Sequence, residues 1–409
     1  MGRSIRSFAF LASVLLLLTA CAGTESGHLT TLPIKLTATA TSTSINRLSV
    51  GAFAATGFVG AVDNGTVNLT PTLSHRGWLI GKTEDNGVLI LASNPTSSQP
   101  IQVWYPATDT TATIAPAIPG MLPRQPGITA NATWSAVVYQ PSSNAQQNAG
   151  NLTGSGWQLF IFNRKTQQRT LLSKDAIGDN LPSGWNTSIS PDISLSGDNL
   201  LWREYVPRGR AIHSIVHLTN LNTMQTTDLL DIISSDLSRF IFSPTISGHL
   251  AAWCDQHDLD LDPKQLDIDR AITIFDINQN KIIQTNHLNA QAHTGACTPV
   301  LNGNLLAFSL YANDDSIYGI AYKDLATETT EIVANDAGQP NGPSAGSSLV
   351  GWSIFQPSLP IAYNLKTHQR YLANNTMPTS GIAVGNIIIW QENIGSPTSS
   401  APINAQIVG

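Results

Sequence analysis

Two cysteines in the second half of the chain, Cys254 and Cys297, have side chains that could pair with each other or bind a metal. His257 follows the first and His293 precedes the second, so the four side chains form a ligand set suited to tetrahedral zinc. In an exported protein a disulfide is the simplest pairing of two cysteines. The sequence leaves open a disulfide, two separate buried thiols or a zinc site, and we favour the disulfide.

Acidic residues follow at alternate positions. Asp258, Asp260 and Asp262 resemble the first ligands of a calcium loop, and Asp269 stands where a twelve-residue loop has its last ligand. Such a loop needs Gly at its sixth position, which is Pro263 here. The pattern therefore predicts either a weak calcium site or a solvated polar insertion between two strands. No cofactor beyond these metals is expected.

Residue types that serve covalent catalysis occur in settings that do not favour it. Gly342 to Gly346 matches the Gly-x-Ser-x-Gly elbow, with Ser344 as nucleophile, but the elbow needs a strand before the serine and a helix after it. Here a loop precedes and a strand follows. His213 and His217 have a metal-ligand spacing for a helix, yet their segment is typical of a strand, where they would lie ~13 Å apart. Catalytic residues stay unknown, and we expect no enzyme.

The first twenty residues have the pattern of a secretory signal. Arg3 and Arg6 precede an uncharged apolar run over residues 7–20. The run is too short to cross a bilayer, which takes about 20 apolar residues. Residues 21–47 are rich in Ser, Thr and Ala without an apolar period, which predicts a flexible tether.

The junction Leu18-Thr19-Ala20-Cys21 resembles the lipobox of bacterial lipoproteins, in which the cysteine is diacylated and the chain is cut before it. The resemblance implies that Cys21 carries lipid such as palmitate and holds the protein to a membrane, facing outside the cytoplasm. Two acyl chains anchor stably, because each buried methylene contributes about 0.8 kcal/mol. The residue after the cysteine is Ala22 and not Asp. In this the chain resembles lipoproteins that are sorted to the outer membrane, in bacteria that have one.

The composition limits the partners. Only 12% of the residues are charged and the net charge is −6, so no basic patch for nucleic acid is expected. The low charge, with abundant Asn, Ser and Thr, fits an extracytoplasmic surface, and we expect a monomer. The chain after the tether is longer than a single layered core usually is, which predicts two domains or one domain built from repeats.

One repeated unit starts with Gly, usually after a small or polar residue, and ends at an aromatic residue. A Pro precedes four of the five copies by a few residues. Glycine supplies the positive φ of a tight turn, and the apolar run after it is short enough for a strand buried on both faces. The copies are Gly197 to Trp202, Gly248 to Trp253, Gly303 to Phe308, Gly346 to Trp352 and Gly385 to Trp390.

A second unit joins two apolar strands through a turn that begins with Asn or Asp and usually has Thr three residues later. The side chain at the first position can accept a hydrogen bond from the backbone N–H two residues ahead, which closes a hairpin turn. The turns begin at Asn163, Asn220, Asp276, Asp324 and Asn364, after a degenerate copy at Pro106. They recur every 40 to 57 residues, so each period holds about four strands, as in a β-propeller blade.

The repeats predict an all-β fold, a β-propeller over residues 48–409 with seven four-stranded blades, six or eight remaining open. The last copy has only the apolar end around Ile407 and Val408 after it, so another strand must complete its sheet. We expect a strand within Leu48 to Val62 to pair there, which would bury sheet edges that otherwise invite aggregation.

The run Pro244-Thr245-Ile246-Ser247-Gly248-His249-Leu250-Ala251-Ala252-Trp253 resembles the repeat of TolB-type, WD40-like propellers of bacterial envelope proteins, over roughly Thr70 to Gly409. The resemblance implies a scaffold that binds a protein, peptide or glycan at the cell envelope. The alternative is a polysaccharide hydrolase or lyase whose carboxylates converge at the central channel. Acids with a His or Arg lining the channel would favour the enzyme, whereas Ser, Asn and apolar residues would favour binding.

Overall fold

The described part of the chain consists of strands and short turns. The computed structural model describes residues 46–48, 58–92, 98–141, 156–175, 190–208, 211–234, 239–258, 268–287, 295–311, 317–335, 341–354, 359–373, 381–391 and 401–408. Within these ranges there is no helix, and accordingly none with the length and apolar character to cross a membrane.

Four-stranded antiparallel sheets are the building unit. Three sheets consist of four strands that follow one another in the chain. They are formed by the strands within residues 121–174, 192–234 and 239–287. The first ten strands are β1 (Val59–Gly60), β2 (Thr66–Leu69), β3 (Leu73–Lys82), β4 (Val88–Leu91), β5 (Ile101–Tyr105), β6 (Thr110–Ala115), β7 (Met121–Ala130), β8 (Trp134–Pro141), β9 (Gln158–Asn163) and β10 (Arg169–Lys174). The next eight are β11 (Asp192–Ser196), β12 (Asn199–Arg208), β13 (Ala211–Asn220), β14 (Gln225–Ser234), β15 (Arg239–Ser247), β16 (Leu250–Asp258), β17 (Ile268–Asp276) and β18 (Lys281–His287).

Two further sheets carry a fifth strand from the N-terminal part. β1 pairs in parallel with the edge strand β22 (Thr329–Asn335), and β2 pairs in parallel with the edge strand β26 (Arg370–Ala373). These sheets are built from β19 (Gly295–Asn302), β20 (Leu305–Tyr311), β21 (Ile317–Asp324), β22 (Thr329–Asn335), β23 (Asn341–Ala345), β24 (Leu349–Ser353), β25 (Pro360–Asn364) and β26 (Arg370–Ala373).

The last sheet joins the two ends of the described chain. Its strands run in the order β27 (Gly381–Val384), β28 (Ile387–Gln391), β29 (Ala401–Ile407), β3, β4, β5 and β6. The first half of β3, Leu73 to Gly77, pairs with β29, and its second half, Trp78 to Lys82, pairs with β4. The prediction of a closing strand within Leu48 to Val62 is therefore wrong, because β1 lies in that range and pairs with β22 instead.

The first strand of each four-strand group lies next to that of the following group. These strands, here called the inner strands, are β3, β7, β11, β15, β19, β23 and β27. Each contacts the next, and β27 in turn contacts β3.

The two kinds of predicted turn lie side by side at one end of the sheets. In six places a backbone N–H connects the two turns at 2.8–2.9 Å. In five of them the second residue of the hairpin turn donates to a carbonyl of the turn between the first two strands of the sheet, and in the sixth Val408 takes the place of that donor. The pairs are Arg164 with Thr133, Leu221 with Asp198, Ile277 with His249, Leu325 with Asn304, Leu365 with Ser348, and Val408 with Asn386. We call this end the turn face and the opposite end the loop face.

The hairpin turns of the second repeat unit close as predicted. The side chains of Asn163, Asn220, Asp324 and Asn364 accept a hydrogen bond from the backbone N–H two residues ahead at 2.8–3.1 Å. Asp276 differs slightly, because its bond comes from the N–H three residues ahead, that of Gln279. The sequence pattern thus located these turns correctly.

Glycines of the first repeat unit adopt the predicted positive φ at four of five copies: Gly197, Gly248, Gly303 and Gly385 have φ between 54° and 60°. Gly346 does not, so the prediction is wrong there. A Cβ on Gly346 would lie 2.4 Å from the carbonyl oxygen of Gly385. Glycine is needed at this position because a neighbouring turn approaches closely.

Three of the four repeated prolines lie at β-bulges in the inner strands. Ser243, Thr298 and Gly342 each precede a proline and have φ of 47°, 50° and 59°. The ladder shifts register at all three places. Since proline lacks an N–H, a bulge is a place in a strand interior where it loses no ladder bond.

The core lies between adjacent sheets. The tryptophans that end the repeat copies, Trp202, Trp253, Trp352 and Trp390, are at most 4% exposed. Their burial confirms that these aromatic positions serve packing.

Candidate functional site

A cavity of about 430 Å³ lies between the inner strands. Every inner strand contributes to its wall, and Ser353 of β24 is added. The lining residues are Leu79, Ile80, Gly81, Lys82, Ile128, Thr129, Asp192, Ile193, Ser194, Ser243, Pro244, Thr245, Pro299, Val300, Gly342, Pro343, Ser344, Ser353 and Ile382. The volume is in the range of ligand pockets in proteins.

Hydroxyl groups in the wall connect neighbouring inner strands. The acceptor oxygen of each of three side chains receives a backbone N–H of the next inner strand at 2.9–3.1 Å. The pairs are Ser194 with Ile246, Thr245 with Leu301, and Ser344 with Ala383. These hydroxyls therefore hold the wall together, and their acceptor capacity is partly used.

The polar residue before three of the five turn glycines has the same role at the turn face. Ser196 accepts the N–H of Gly248 at 2.9 Å, and Ser247 accepts the N–H of Gly303 at 2.8 Å. The amide of Asn302 donates to the carbonyl of Ala345 at 3.3 Å. These three contacts explain why Ser or Asn precedes glycine in these copies of the repeat.

Lys82 lies at the turn-face end of the cavity, where β3 ends. Its Nζ donates to the carbonyl oxygen of Ala345 on β23. Burial lowers the pKa of Lys82 to about 8, and no carboxylate of the described residues contributes to that shift. The amine is therefore a half-buried cation without a compensating negative charge in the described structure.

Glu84, in the turn after β3, forms contacts on the side of β3 that faces away from β23. Glu84 accepts hydrogen bonds from the hydroxyl of Ser196 at 2.7 Å and from the N–H of Gly197 at 2.8 Å. The amide of Asn131 also donates to Glu84, at 3.0 Å. Residues 82–84 thus connect β23 on one side with β7 and β11 on the other.

The one carboxylate among the lining residues is Asp192, at the start of β11. Arg203 of β12 donates to it at 2.6 Å, and the N–H of Ser243 donates at 3.3 Å. The guanidinium of Arg203 is buried and stacks over the ring of Tyr205, 4.3 Å from its centroid. Burial acts to lower the pKa of Arg203, but Asp192 and Tyr205 outweigh it and raise the pKa. The charge of Asp192 is therefore compensated.

Lys82→Met is expected to stabilise the protein at pH 7. The unfolded lysine keeps its proton up to about pH 10.5, whereas the folded one loses it above about pH 8, so the folded state carries a desolvation penalty below pH 8 of at most about 3 kcal/mol. The penalty shrinks as the pH rises from 8 to 10.5. Urea unfolding of the wild type and of Lys82→Met at pH 7 and pH 10 measures the stability difference at each pH. Lys281→Met, which changes an exposed lysine, is the control. Equal stability of wild type and Lys82→Met at pH 7 would contradict this account.

Cys254 and Cys297 are brought together. They form a disulfide between β16 and β19, strands of two different sheets, with their Cα atoms 5.0 Å apart. Both residues are buried. A disulfide leaves no thiolate for zinc, and His293 lies outside the described residues.

The calcium pattern falls largely outside the described residues, which include neither Asp260 nor Asp262. Asp258 is the last residue of β16, and Asp269 lies in β17 opposite His257. Within the described ranges, no group of three His, Cys, Asp or Glu side chains is placed to hold a metal. Cys21 and the preceding signal also lie outside these ranges.

The other candidate residues have structural partners. Ser344 lies in β23 and donates to the carbonyl of Gly381 at 3.4 Å, so it does not occupy a strand-to-helix elbow. His213 and His217 lie in the strand β13, as predicted. The first contacts Asp231 at 2.8 Å, and the second contacts Asp228 and Glu204 at 2.7 and 3.1 Å.

Sequence reasoning missed Lys82, Glu84 and Arg203. A lysine at the end of an apolar strand is a common surface residue, and its burial follows only from the convergence of the inner strands. The one signal was the position of Lys82 and Glu84 at the turn between β3 and β4. At this turn the copies of the first repeat unit have glycine, usually after a small or polar residue.

Comparison with known proteins gives similarity at the level of fold. No protein-family profile and no curated protein sequence matches the chain. Among solved structures, oligogalacturonate lyase from Vibrio parahaemolyticus is similar with a TM-score of 0.50 and 10% identity, covering 83% of this chain and 92% of that one. TolB from Acinetobacter baumannii has a TM-score of 0.41 and 12% identity, covering 87% and 67%.

An oligogalacturonate lyase in complex with manganese has a TM-score of 0.42 and 9% identity, covering 78% of this chain and 73% of that one. At such identities a likeness shows the fold and no activity. The lyase at a TM-score of 0.50 is a propeller protein. The chain therefore has an all-β, propeller-type fold.

Proposed function

We propose that this protein is a lipid-anchored β-propeller of the cell envelope that binds a protein, peptide or glycan and is not an enzyme. Cys21 carries the lipid, and residues 21–47 form the tether. The partner binds at the loop face and the mouth of the cavity. The protein acts as a monomer, outside the cytoplasm, and does not bind nucleic acid.

The chemistry of the cavity wall carries this proposal. Cleavage of a glycosidic bond by the usual mechanism takes two carboxyl groups, one of them placed to transfer a proton. The described lining residues include one carboxylate, Asp192, which is ion-paired with Arg203. They include neither histidine nor arginine. Hydroxyl and apolar side chains make up most of the wall, which favours binding over catalysis.

We propose further that the sheets form a closed ring of seven blades. The contacts of the inner strands, which return from β27 to β3, support this arrangement. The division of β3 supports it as well, since its first half would complete the last blade and its second half would begin the first. Closure would remove two sheet edges that otherwise pair with other chains.

A polysaccharide hydrolase or lyase is the second candidate, because the fold resembles that of oligogalacturonate lyase. Fold alone does not carry that activity. A calcium site at Asp258, Asp260, Asp262 and Asp269 is likewise a proposal, for which the alternate carboxylates are the support.

Site-specific photo-crosslinking of the full chain in bacterial envelopes tests the binding proposal. A crosslinker at Arg239, which begins β15 at the loop face, is expected to capture a reproducible partner or ligand. A crosslinker at the exposed Asn222, in a turn at the opposite face, is the matched control and should capture none. Cys21→Ser controls for anchoring and should leave the membrane fraction.

Two results would contradict the proposal. Equal capture from Arg239 and Asn222 would remove the loop face as the binding surface. Turnover of oligogalacturonate or another polysaccharide by the purified protein, with Asp192→Asn abolishing it, would favour the enzyme instead.

A further inference from the structure

At the turn-face end of the cavity, the ammonium of Lys82 has no compensating negative charge among the described residues. The ammonium of Lys82 has a backbone carbonyl as its hydrogen-bond acceptor, and burial alone accounts for its lowered pKa. The other charged lining residue, Asp192, is compensated by Arg203 at 2.6 Å. A ligand that enters the cavity therefore meets a net positive charge at Lys82.

The wall between these charges is mainly apolar toward a ligand. Ile80, Val300 and Ile382 contribute partly buried aliphatic side chains, and the lining prolines add to them. The hydroxyls of Ser194, Thr245 and Ser344 each accept one hydrogen bond from a neighbouring inner strand, so part of their capacity is already used. The aliphatic part of the wall can therefore contact the apolar body of a ligand.

We propose that this cavity binds an apolar carboxylate, with the carboxylate on the ammonium of Lys82 and the apolar body against the aliphatic wall. This inference rests on the proposed function as a binding protein and names the ligand class of its cavity. A charge-assisted hydrogen bond in a partly desolvated site is stronger than a neutral one, so it fixes the orientation of the ligand. A free organic acid and the C-terminus of a peptide with aliphatic side chains share this chemistry.

Titration calorimetry with the full chain and matched pairs of probes tests the proposal. One pair is octanoate and octanamide, which differ in charge but hardly in size. The other is the peptide acetyl-Ala-Val-Leu with a free C-terminus and the same peptide with a C-terminal amide. At pH 7 the carboxylate of at least one pair is expected to bind at least tenfold more tightly than its amide.

Lys82→Met is expected to abolish this preference and to leave the affinity for the amide within about twofold. Lys281→Met changes an exposed lysine outside the cavity and should keep the wild-type preference. The preference should also weaken from pH 7 to pH 10, because Lys82 loses its proton while the probe carboxylate stays ionised. Circular dichroism confirms that both variants are folded.

A second measurement places the ligand. Acetylation of lysine amines, read out by peptide mass spectrometry, should modify Lys82 more slowly when the carboxylate probe is present, whereas Lys281 should be unaffected. Binding by the peptide alone would identify a chain terminus as the source of the carboxylate, and binding by octanoate would identify a free acid.

Several outcomes would overturn the inference: no binding of any probe at millimolar concentration, equal affinity for acid and amide, or an unchanged preference in Lys82→Met. These outcomes leave the proposed function intact if the crosslinker at Arg239 still captures a partner. If the crosslinker at Arg239 captures no partner but the protein still prefers the carboxylate probe, the cavity site is supported and the loop-face binding surface is contradicted.

Discussion

Replacing Ile403 by alanine is expected to lower the free energy of unfolding by about 2–5 kcal/mol, the range for a large aliphatic residue truncated in a core. Ile403 is fully buried in β29, with β28 on one side and the first half of β3 on the other. It belongs to a core cluster that includes Leu79 and Ile389. The truncation would leave a cavity at the place where the N-terminal and C-terminal parts of the described chain meet.

The same strand provides the control. Ile407 lies in β29 as well but is 52% exposed, so Ile407→Ala should change stability by less than about 1 kcal/mol. Urea unfolding followed by both tryptophan fluorescence and circular dichroism measures the two variants, provided that the two probes give one transition. Similar losses for both variants would show that β29 is not buried between β28 and β3.

Replacing Cys254 and Cys297 together by alanine is expected to lower the free energy of unfolding by about 4 kcal/mol. The value follows from the chain entropy of the loop that the disulfide closes, whose ends are 43 residues apart in sequence. The bond connects β16 and β19, and each cysteine is at most 4% exposed. Because it links two sheets, its loss should also weaken the packing between them. The melting temperature and the urea midpoint of the double variant are the measurements.

A reductant gives the matched control for this prediction. Under denaturing and reducing conditions followed by refolding, the wild-type protein should approach the stability of the double variant, whereas the variant should not respond. Alkylation of the denatured, unreduced protein should modify neither cysteine. Two alkylated thiols would contradict the disulfide, and a rise in melting temperature with zinc would then support the metal alternative.

The repeat and its turns were predictable from the sequence because they depend on local chemistry. An Asn or Asp that accepts a backbone hydrogen bond two residues ahead needs no distant partner, and neither does a glycine with positive φ, as at Gly248. The alternation of the two units then limited the fold to four-stranded sheets in series. This is why the turns at Asn163 and Asn364 were placed correctly.

The failures concern pairing between distant parts of the chain. The closing strand was expected within Leu48 to Val62 because the last repeat copy lacks a strand of its own, but the sequence carries no signal that distinguishes the edge of β22 from the edge of β29. The cavity was equally hidden, since Lys82 becomes a half-buried amine only when the inner strands converge. Burial of this kind is a property of the assembled sheets, and no local pattern records it.

The N-terminal edge strands determine where a mechanical load would enter the molecule. Arg47 donates to the carbonyl of Gly60 at 2.7 Å and forms an ion pair with Glu331 of β22 at 2.8 Å. Further along, Arg370 of β26 contacts Asp63 at 2.8 Å. A pull on the chain before Arg47 would therefore be borne first at the edge of β22, by the contacts of Arg47 and the pairing of β1, and would reach the edge of β26 only after these had opened.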